Sequence, residues 1–287
     1  MRGQDSDQAS EVNGILAIAQ LTWIEARRRR IVLAALLCGF AFLLLFGLIV
    51  YFNAERAVGS LPNLQRRIVL QTLTVVGLYA VNFLVVALAV MLPVDTLSGE
   101  IDSGVIQTLA SKPVRRSEII LGKWLVFWLM IAGYIVLMAG ALVGIVWLLT
   151  GFRQQNLLPA LGLMQLEATV LLCITMSGGV HFSTITNGIV AFAFYAIAFV
   201  GGLVEQVGLV AGNAAARYIG TAISLVSPAD ALWRKATHIL LPPFITQVQV
   251  TPFSGGAVPS AAMVWWGVLF SFVALAVAIR GFEKRAL

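Results

Sequence analysis

The chain has 287 residues, of which 60% are hydrophobic and 11% are charged. A soluble domain typically has about 25% charged residues, so the composition excludes a soluble globular protein. The net charge of +6 does not indicate nucleic-acid binding, because the basic residues flank long apolar blocks, as where Arg27–Arg30 precede Ile31. We therefore expect a membrane protein without a nucleic-acid partner.

Six apolar blocks are each long enough to cross a bilayer, whose hydrocarbon core requires about 20 residues of helix. They are unbroken blocks rather than amphipathic stripes, which is typical of helices surrounded by lipid. The sequence therefore predicts an all-α integral membrane fold, with residues 1–287 forming a single transmembrane domain. The predicted spans are residues 31–52, 68–94, 119–149, 157–184, 188–210 and 261–279.

The distribution of Lys and Arg predicts the orientation of these spans. An even number of spans places both termini on one side of the membrane. That side holds twelve of the 19 basic residues, and the other side holds seven. Because cytoplasmic loops carry an excess of Lys and Arg, we expect both termini in the cytoplasm and the protein in the plasma membrane. The loop of residues 95–118 is then cytoplasmic, and the segment of residues 211–260 is external.

Two shorter connections also carry predictions. The segment Ile15–Arg30 precedes the first span, and its apolar residues lie on all sides of a helical wheel. The turn between the fourth and fifth spans is short and uncharged, and its Asn187-Gly188 pair is typical of a corner between antiparallel helices. We therefore expect the fifth span to begin at this corner.

The cytoplasmic loop contains the most informative segment, Thr96–Leu125. Ile101, Val105 and Leu109 are spaced four residues apart and form one stripe on a helix. Pro113 cannot continue that helix. The pattern predicts a short amphipathic helix at the cytoplasmic surface, connected at both ends to membrane spans. Such a helix either receives force from a soluble partner or only anchors the loop at the membrane surface.

The same segment resembles the signature of ABC-2 type permeases, the membrane subunits of many bacterial ABC exporters. That signature has an acidic residue, a glycine, a short apolar helix, a proline, a basic cluster and a Gly-Lys pair entering the third span. The six-span layout and the long external segment are also similar. The matching positions in this chain are Glu100, Gly104, Val105–Leu109, Pro113, Arg115, Arg116 and Gly122-Lys123.

The resemblance implies a dimer of six-span subunits in the membrane, formed with a second copy or a paralogue, and a cytoplasmic ABC ATPase docked beneath each. The loop helix would be the coupling helix between spans two and three. ATP and Mg²⁺ would bind to the ATPase and not to this chain, because Gly122-Lys123 is followed by Trp124 and not by the Ser or Thr of a phosphate-binding loop. We expect no cofactor in this chain. The residues expected to contact the ATPase are Glu100, Asp102, Gly104 and Leu109, with Arg115 and Arg116 in support.

Two acidic residues within the predicted spans are candidates for the transport pathway. An ionisable group at membrane depth costs about 2.5–3.5 kcal/mol on insertion scales and usually faces a cavity or a partner. Glu167 either lines the pathway, or is a neutral hydrogen-bonded acid or a partner of Arg153. Glu205 either lines the pathway, or reaches toward water or Arg217. Asn82 is expected to hydrogen-bond between helices.

The external segment of residues 211–260 includes the stretch Ser227–Arg234. This stretch resembles a short element of some ABC-2 permeases, including those of nitrous-oxide-reductase maturation systems. Ser227 or Asp230 is expected to cap a helix that starts nearby. We interpret the segment as re-entrant or surface helices that form an external gate or a platform for an extracytoplasmic partner. The alternative is a connecting loop.

Other classes of function fit the sequence less well than a permease does. An intramembrane enzyme would require catalytic groups at membrane depth, and neither a Gly-x-Ser-Gly motif nor a pair of aspartates lies within a predicted span. His181 has no second His or Cys at ligand spacing. We therefore expect no catalytic residue and no metal ligand. An ATP-independent secondary transporter or a membrane scaffold is the main alternative, and co-purification of a cytoplasmic ATPase distinguishes it from a permease.

Overall fold

The computed structural model describes residues 18–53, 61–96, 99, 116–241 and 258–284. Within those ranges the chain forms helices and short turns and no strand, as predicted for an all-α fold. The helices are α1 (18–27), α2 (Arg30–Asn53), α3 (Asn63–Met91), α4 (Arg116–Thr150), α5 (Leu157–His181), α6 (Thr184–Val210), α7 (Ala214–Val226), α8 (Ala229–Leu240) and α9 (Ala261–Lys284).

Six helices of the described ranges, α2 to α6 and α9, are long and apolar enough to cross a membrane. Their lengths are 24 to 35 residues. At a rise of 1.5 Å per residue, 24 residues extend about 36 Å, which exceeds the roughly 30 Å of a bilayer core. The prediction of six spans is therefore confirmed. Several helices continue beyond the predicted apolar blocks, as α3 does by including the polar turn Asn63–Arg67.

One predicted boundary is wrong. The helix α6 begins at Thr184, so the Asn187-Gly188 pair lies in its first turn and does not form the corner between α5 and α6. The amide of Asn187 is buried, and its Nδ2 donates to the carbonyl of Thr175 at 2.9 Å and to that of Val94 at 3.3 Å. This side chain therefore connects α6 with α5 and with the end of α3, and the turn itself precedes Thr184.

Successive spans alternate in direction, so the bundle has two ends. We call the terminal face the end at which α2 begins and α9 finishes, and the distal face the end at which α2 finishes and α9 begins. On the terminal face, Arg116 Nη1 donates to the carbonyl of Glu283 at 3.1 Å. On the distal face, Arg66 Nη2 donates to the carbonyl of Thr150 at 3.2 Å. These contacts place the start of α4 beside the end of α9, and the start of α3 beside the end of α4.

The helices α3 and α5 form the centre of the bundle. Their inward side chains are fully buried, as at Leu78 and Val81 on α3 and Met164 and Leu171 on α5. By contrast, α2 exposes large apolar side chains along most of its length, and Phe40 is 61% exposed. A continuous apolar surface of this kind indicates contact with lipid or with another membrane protein rather than with water.

Between α6 and α9, the helices α7 and α8 form a hairpin that is too short to cross the membrane. They have 13 and 12 residues, which correspond to about 20 and 18 Å. The start of α7 follows the distal end of α6 and is capped by Asn213, whose Oδ1 accepts from the backbone N–H groups of Ala215 and Ala216. The carbonyl of Leu240, at the end of α8, accepts from Gln71 near the distal start of α3. Both outer ends of the hairpin therefore lie toward the distal face.

The turn of the hairpin reaches the middle of the bundle. Ser227 Oγ donates to the carbonyl of Phe194 at 3.3 Å. Phe194 is ten residues beyond Thr184 at the terminal end of α6, a distance of about 15 Å along that helix. Trp233 packs edge-to-face on Tyr79, halfway along α3, with ring centroids 4.9 Å apart. The described part of the 211–260 segment is therefore a pair of helices inserted into the bundle.

The predicted helix cap at the start of α8 is wrong. Neither Ser227 nor Asp230 caps this helix, whose first turn follows Pro228 without a side-chain cap. Ser227 bonds to α6 instead, and the carboxylate of Asp230 bonds to Arg234. Ser227 therefore connects the hairpin to α6, and Asp230 holds the guanidinium of Arg234 one turn later on α8.

Two glycines allow the hairpin to approach α6 closely. A Cβ atom at Gly220 on α7 would lie 2.7 Å from backbone atoms of Gly201 and Glu205. A Cβ atom at Gly202 on α6 would overlap the carboxylate of Asp230 on α8. A larger side chain at either position would therefore separate the hairpin from α6 or displace that carboxylate.

Candidate functional site: a polar cluster between the hairpin and the spans

Arg234, on α8, is buried and contacts three polar side chains. Its Nε donates to Asp230 Oδ2 at 2.9 Å, one turn earlier on the same helix. Its Nη1 lies 2.8 Å from Glu205 Oε2 on α6, and its Nη2 donates to Ser224 Oγ on α7 at 3.1 Å. We call these four residues the Arg234 cluster. A single guanidinium, with its planar fork of donors, thus connects both helices of the hairpin with α6.

The Arg234 cluster holds two carboxylates and one guanidinium with little access to solvent. The side chains of Arg234, Asp230 and Glu205 are 7%, 5% and 13% exposed. Thr221 Oγ1 on α7 donates to Glu205 Oε1 at 3.1 Å, so both oxygens of Glu205 have partners.

Glu167, on α5, lies beside this cluster and is 1% exposed. Asn82 Nδ2 on α3 donates to Glu167 Oε1 at 3.3 Å. Among the described residues, neither Glu167 Oε2 nor Asn82 Oδ1 has a hydrogen-bond partner. Buried polar atoms normally have hydrogen-bond partners. These two unpaired acceptors therefore form a site that can take up a proton or a hydrogen-bond donor.

Of the alternatives for Glu167, the pair with Arg153 is not formed. Arg153 does not approach it, and the guanidinium of Arg153 instead lies 5.8 Å from the centre of the Trp147 ring. The reason is the direction of the side chains, since Glu167 points inward from α5 while Arg153 precedes that helix on the distal face. The expectation that Asn82 hydrogen-bonds between helices is confirmed, and its partner is Glu167 itself.

The expected partner of Glu205 is also wrong. Glu205 pairs with Arg234 and not with Arg217, which is exposed on the first turn of α7. Sequence reasoning assigned no role to Arg234, although a signal was present. Asp230 and Arg234 are four residues apart with opposite charges, which is typical of an ion pair on one helix. That signal predicts the pair on α8 but not the contact with α6.

The residues predicted to contact an ATPase lie mostly outside the described residues. Arg116 is described, at the start of α4, where its Nη1 donates to the carbonyls of Phe282 at 3.5 Å and Glu283 at 3.1 Å. It therefore connects the end of the loop of residues 95–118 to the end of α9. The predicted contact residues that fall outside the described ranges are Glu100, Asp102, Gly104, Leu109 and Arg115.

An ion-pair network on the terminal face connects α1 with the start of the loop of residues 95–118. Arg29, between α1 and α2, contacts Glu25 at 2.9 Å and also pairs with Asp95, which follows α3. Burial lowers the pKa of Arg29, but its contacts with the two carboxylates outweigh burial and raise that pKa overall. The guanidinium therefore stays charged and holds the first residues of the loop against the junction of α1 and α2.

The described residues contain no group of three or more His, Cys, Asp or Glu side chains arranged to hold a metal ion. His181, at the terminal end of α5, places its Nδ1 3.1 Å from the carbonyl of Ser177 in the preceding turn. The polar groups of the site are therefore suited to hydrogen bonding and ion pairing.

The model of the family described as "ABC-2 family transporter protein" matches residues 16–287. The chain belongs to this family. It is a multi-pass membrane protein and the permease component of an ABC transporter, and permeases of this family are generally non-catalytic. A comparison with curated proteins found no match. The match includes all six spans, the hairpin of the permease and the Arg234 cluster.

Proposed function

We propose that this permease exports a substrate across the cytoplasmic membrane with energy from ATP hydrolysed by a separate ABC ATPase. The observation that carries the proposal is the family match over residues 16–287, which includes six helices long enough to span a bilayer. ATP and Mg²⁺ bind to the ATPase, and the permease performs no covalent chemistry. Two permease subunits form a dimer with the transport pathway between them, and the terminal face, at which α2 begins and α9 ends, faces the cytoplasm.

The ATPase docks on the coupling loop of the terminal face. The residues proposed to contact it are Glu100, Asp102, Gly104 and Leu109, supported by Arg115 and Arg116. Contacts at both ends of the loop support this role. The pair of Arg29 and Asp95 connects its start to α2 and α3, and Arg116 connects its end to α4 and α9. A force on the loop therefore reaches four spans at once.

The hairpin acts as a gate on the distal face. It enters the bundle without crossing it, and the ion pair of Arg234 with Glu205 and the hydrogen bond of Ser227 to the carbonyl of Phe194 connect it to α6. In this conformation Glu167 is buried and the side chain of Glu205 is only 13% exposed, so they reach a pathway only when the hairpin moves away from α6 and α5. An extracytoplasmic partner would bind at residues 211–260. A relationship with permeases of nitrous-oxide-reductase maturation systems stays a prediction.

Purification of the tagged permease in a neutral detergent tests the partner assignment. An ABC ATPase, identified by mass spectrometry and by ATP hydrolysis of the purified complex, is expected to co-purify. Glu100→Lys and Leu109→Glu are expected to abolish co-purification or the stimulation of ATP hydrolysis by the permease, while insertion into the membrane is unchanged. Leu158→Glu is the matched control, because Leu158 is 81% exposed at the distal start of α5.

Two outcomes would contradict the proposal. Recovery of the permease without any ATPase would favour an ATP-independent transporter or a scaffold. Normal co-purification and normal ATP hydrolysis in both loop variants would refute the coupling assignment.

The orientation is tested separately by cysteine labelling in intact cells. After Cys38 and Cys173 are replaced by serine, Arg217→Cys on the distal face should react with an impermeant maleimide. Ser103→Cys in the loop should react only after permeabilisation. The reverse pattern would place the coupling loop outside the cell and exclude ATPase docking there.

A further inference from the structure

A cavity of about 900 Å³ opens on the distal face between the starts of α3 and α5 and the ends of α4 and α8. We call it the distal cavity. Its volume lies within the roughly 300–1,000 Å³ typical of ligand-binding sites. No residue of the Arg234 cluster lines it. It is therefore a separate feature from the polar cluster beneath the hairpin.

The lining of the distal cavity is strongly basic. It includes Arg66, Arg67 and Arg153 and no acidic residue. Arginine stays charged at any physiological pH, so these side chains give the lining a charge of +3. The carboxylates of the nearby hairpin do not neutralise it, because Asp230 and Glu205 are paired with Arg234.

The adjoining segments do not supply a balancing charge in their sequence. Residues 242–257, which follow α8, contain no Asp, Glu, Lys or Arg. Residues 54–60, which precede α3, contain one Glu and one Arg and have no net charge. The positive charge of the cavity is therefore not balanced by the chain around it.

Two of the arginines are held in position by the protein. Arg66 Nη2 donates to the carbonyl of Thr150 at 3.2 Å. The guanidinium of Arg153 lies 5.8 Å from the centre of the Trp147 ring, within the range of a cation–π interaction. Anchoring of this kind reduces the conformational entropy that the arginine side chains lose when a ligand binds.

Two backbone carbonyls beside the cavity, at the end of α8, already accept hydrogen bonds from other side chains. The carbonyl of Leu240 accepts from Gln71 and, at 3.0 Å, from Gln154. The carbonyl of Ile239 accepts from Asn156 at 3.4 Å. These carbonyls at the end of α8 would otherwise offer partial negative charge to the arginines. The arginines therefore have an excess of donors, which an anionic ligand can satisfy.

We propose that the distal cavity binds a phosphate group. The guanidinium fork matches two phosphate oxygens, and the apolar residues Leu64, Leu70 and Phe152 line part of the wall, where they accommodate an apolar portion of the ligand. The phosphate belongs either to an anionic phospholipid headgroup or to a soluble molecule. This inference goes beyond the proposed function, and it does not depend on which subunit hydrolyses ATP.

The test measures binding to the purified full-length permease in neutral detergent at low ionic strength, by microscale thermophoresis. The probes are dihexanoyl-phosphatidylglycerol, dihexanoyl-phosphatidylcholine and inorganic phosphate. Phosphatidylglycerol is expected to bind more tightly than phosphatidylcholine, whose choline cation is repelled by the arginines. Arg67→Gln and Arg153→Gln are each expected to weaken binding about tenfold to a hundredfold, the range of a hydrogen bond to a charged group.

Arg217→Gln is the matched control. Arg217 is exposed on the same face, is absent from the cavity lining and undergoes the same loss of charge. Arg67 is also exposed, so Arg67→Gln is expected to fold normally, and thermal unfolding without ligand checks this. The pair Arg67→Gln and Arg217→Gln therefore compares a lost charge inside the cavity with one outside it.

Binding of inorganic phosphate at least as tight as that of phosphatidylglycerol would identify a site for soluble phosphates, and binding of the lipid without measurable binding of inorganic phosphate would identify a headgroup site. Both results support the proposal when the two cavity variants weaken binding and Arg217→Gln does not. Binding of none of the probes, or equal affinity in all variants, would overturn it.

Discussion

Replacement of Arg234 by methionine is the most direct perturbation of the hairpin. It removes the guanidinium that contacts Asp230 at 2.9 Å, Glu205 at 2.8 Å and Ser224 at 3.1 Å, while it keeps much of the side-chain volume. Two carboxylates that are 5% and 13% exposed then lose their cation. Breaking a buried ion pair by removing one partner typically costs about 3–5 kcal/mol. We expect Arg234→Met to lower the free energy of unfolding by roughly that amount.

A triple variant separates the loss of charge balance from the loss of packing. In Arg234→Met with Glu205→Gln and Asp230→Asn, the cluster contains no carboxylate that lacks a cation. Because neutral replacement of a whole buried ion-pair group is often tolerated, the triple variant should recover at least half of the stability that the single variant loses. Arg217→Met is the control for an exposed arginine, and it should change stability by less than about 0.5 kcal/mol.

Equilibrium unfolding in mixed micelles of dodecyl maltoside and sodium dodecyl sulfate measures these differences. Cysteine accessibility at Ser227→Cys, at the tip of the hairpin, reports whether the hairpin has left the bundle. A single variant as stable as Arg217→Met would refute the role of Arg234. A triple variant less stable than the single one would show that packing, and not charge, dominates the cluster.

Two further substitutions test the polar contacts of the core by the same unfolding assay. Asn82→Leu should destabilise the permease by about 1–3 kcal/mol, because Glu167 loses its hydrogen-bond donor in a buried site. Adding Glu167→Leu should recover most of this loss of stability. Additive losses in the double variant would mean that the two side chains do not interact. Asn187→Ala should lower the free energy of unfolding by a similar amount, about 1–3 kcal/mol, because the Asn187 amide connects α6 to α5 and α3. Ser183→Ala is the control and should have little effect, because the hydrogen bond of Ser183 is exposed. Equal stability of these last two variants would argue against a structural role for the Asn187 amide.

The six spans were predictable from the sequence because insertion into lipid depends on the hydrophobicity of each segment by itself. Each block of about 20 apolar residues is stable in a bilayer whatever its neighbours are. The predicted blocks therefore match α2 to α6 and α9 to within a few residues at most ends. The start of α6 differs because the Asn187-Gly188 pair resembles a local turn signal, whereas the amide of Asn187 is used by neighbouring helices.

The buried face of α1 also could not be predicted from local sequence signals. Ile18, Thr22 and Ala26 are buried at positions four residues apart. Hydrophobicity alone did not reveal this stripe, because one member is polar, another is small and exposed apolar residues such as Leu21 and Ile24 lie beside it. In a membrane protein, an exposed apolar residue carries no penalty, so the contrast that marks a buried face in a soluble helix is absent.

The sequence alone thus determined that the chain crosses the membrane six times, and its loop motif indicated the family. The partners of its buried charges were decided only by tertiary structure, which brings Glu205 from α6, Ser224 from α7 and Arg234 from α8 to one point. The physical reason is that transfer of a residue into lipid depends on that residue and its immediate neighbours. A hydrogen bond or an ion pair depends instead on which distant helices meet, at what depth, and in which direction their side chains point.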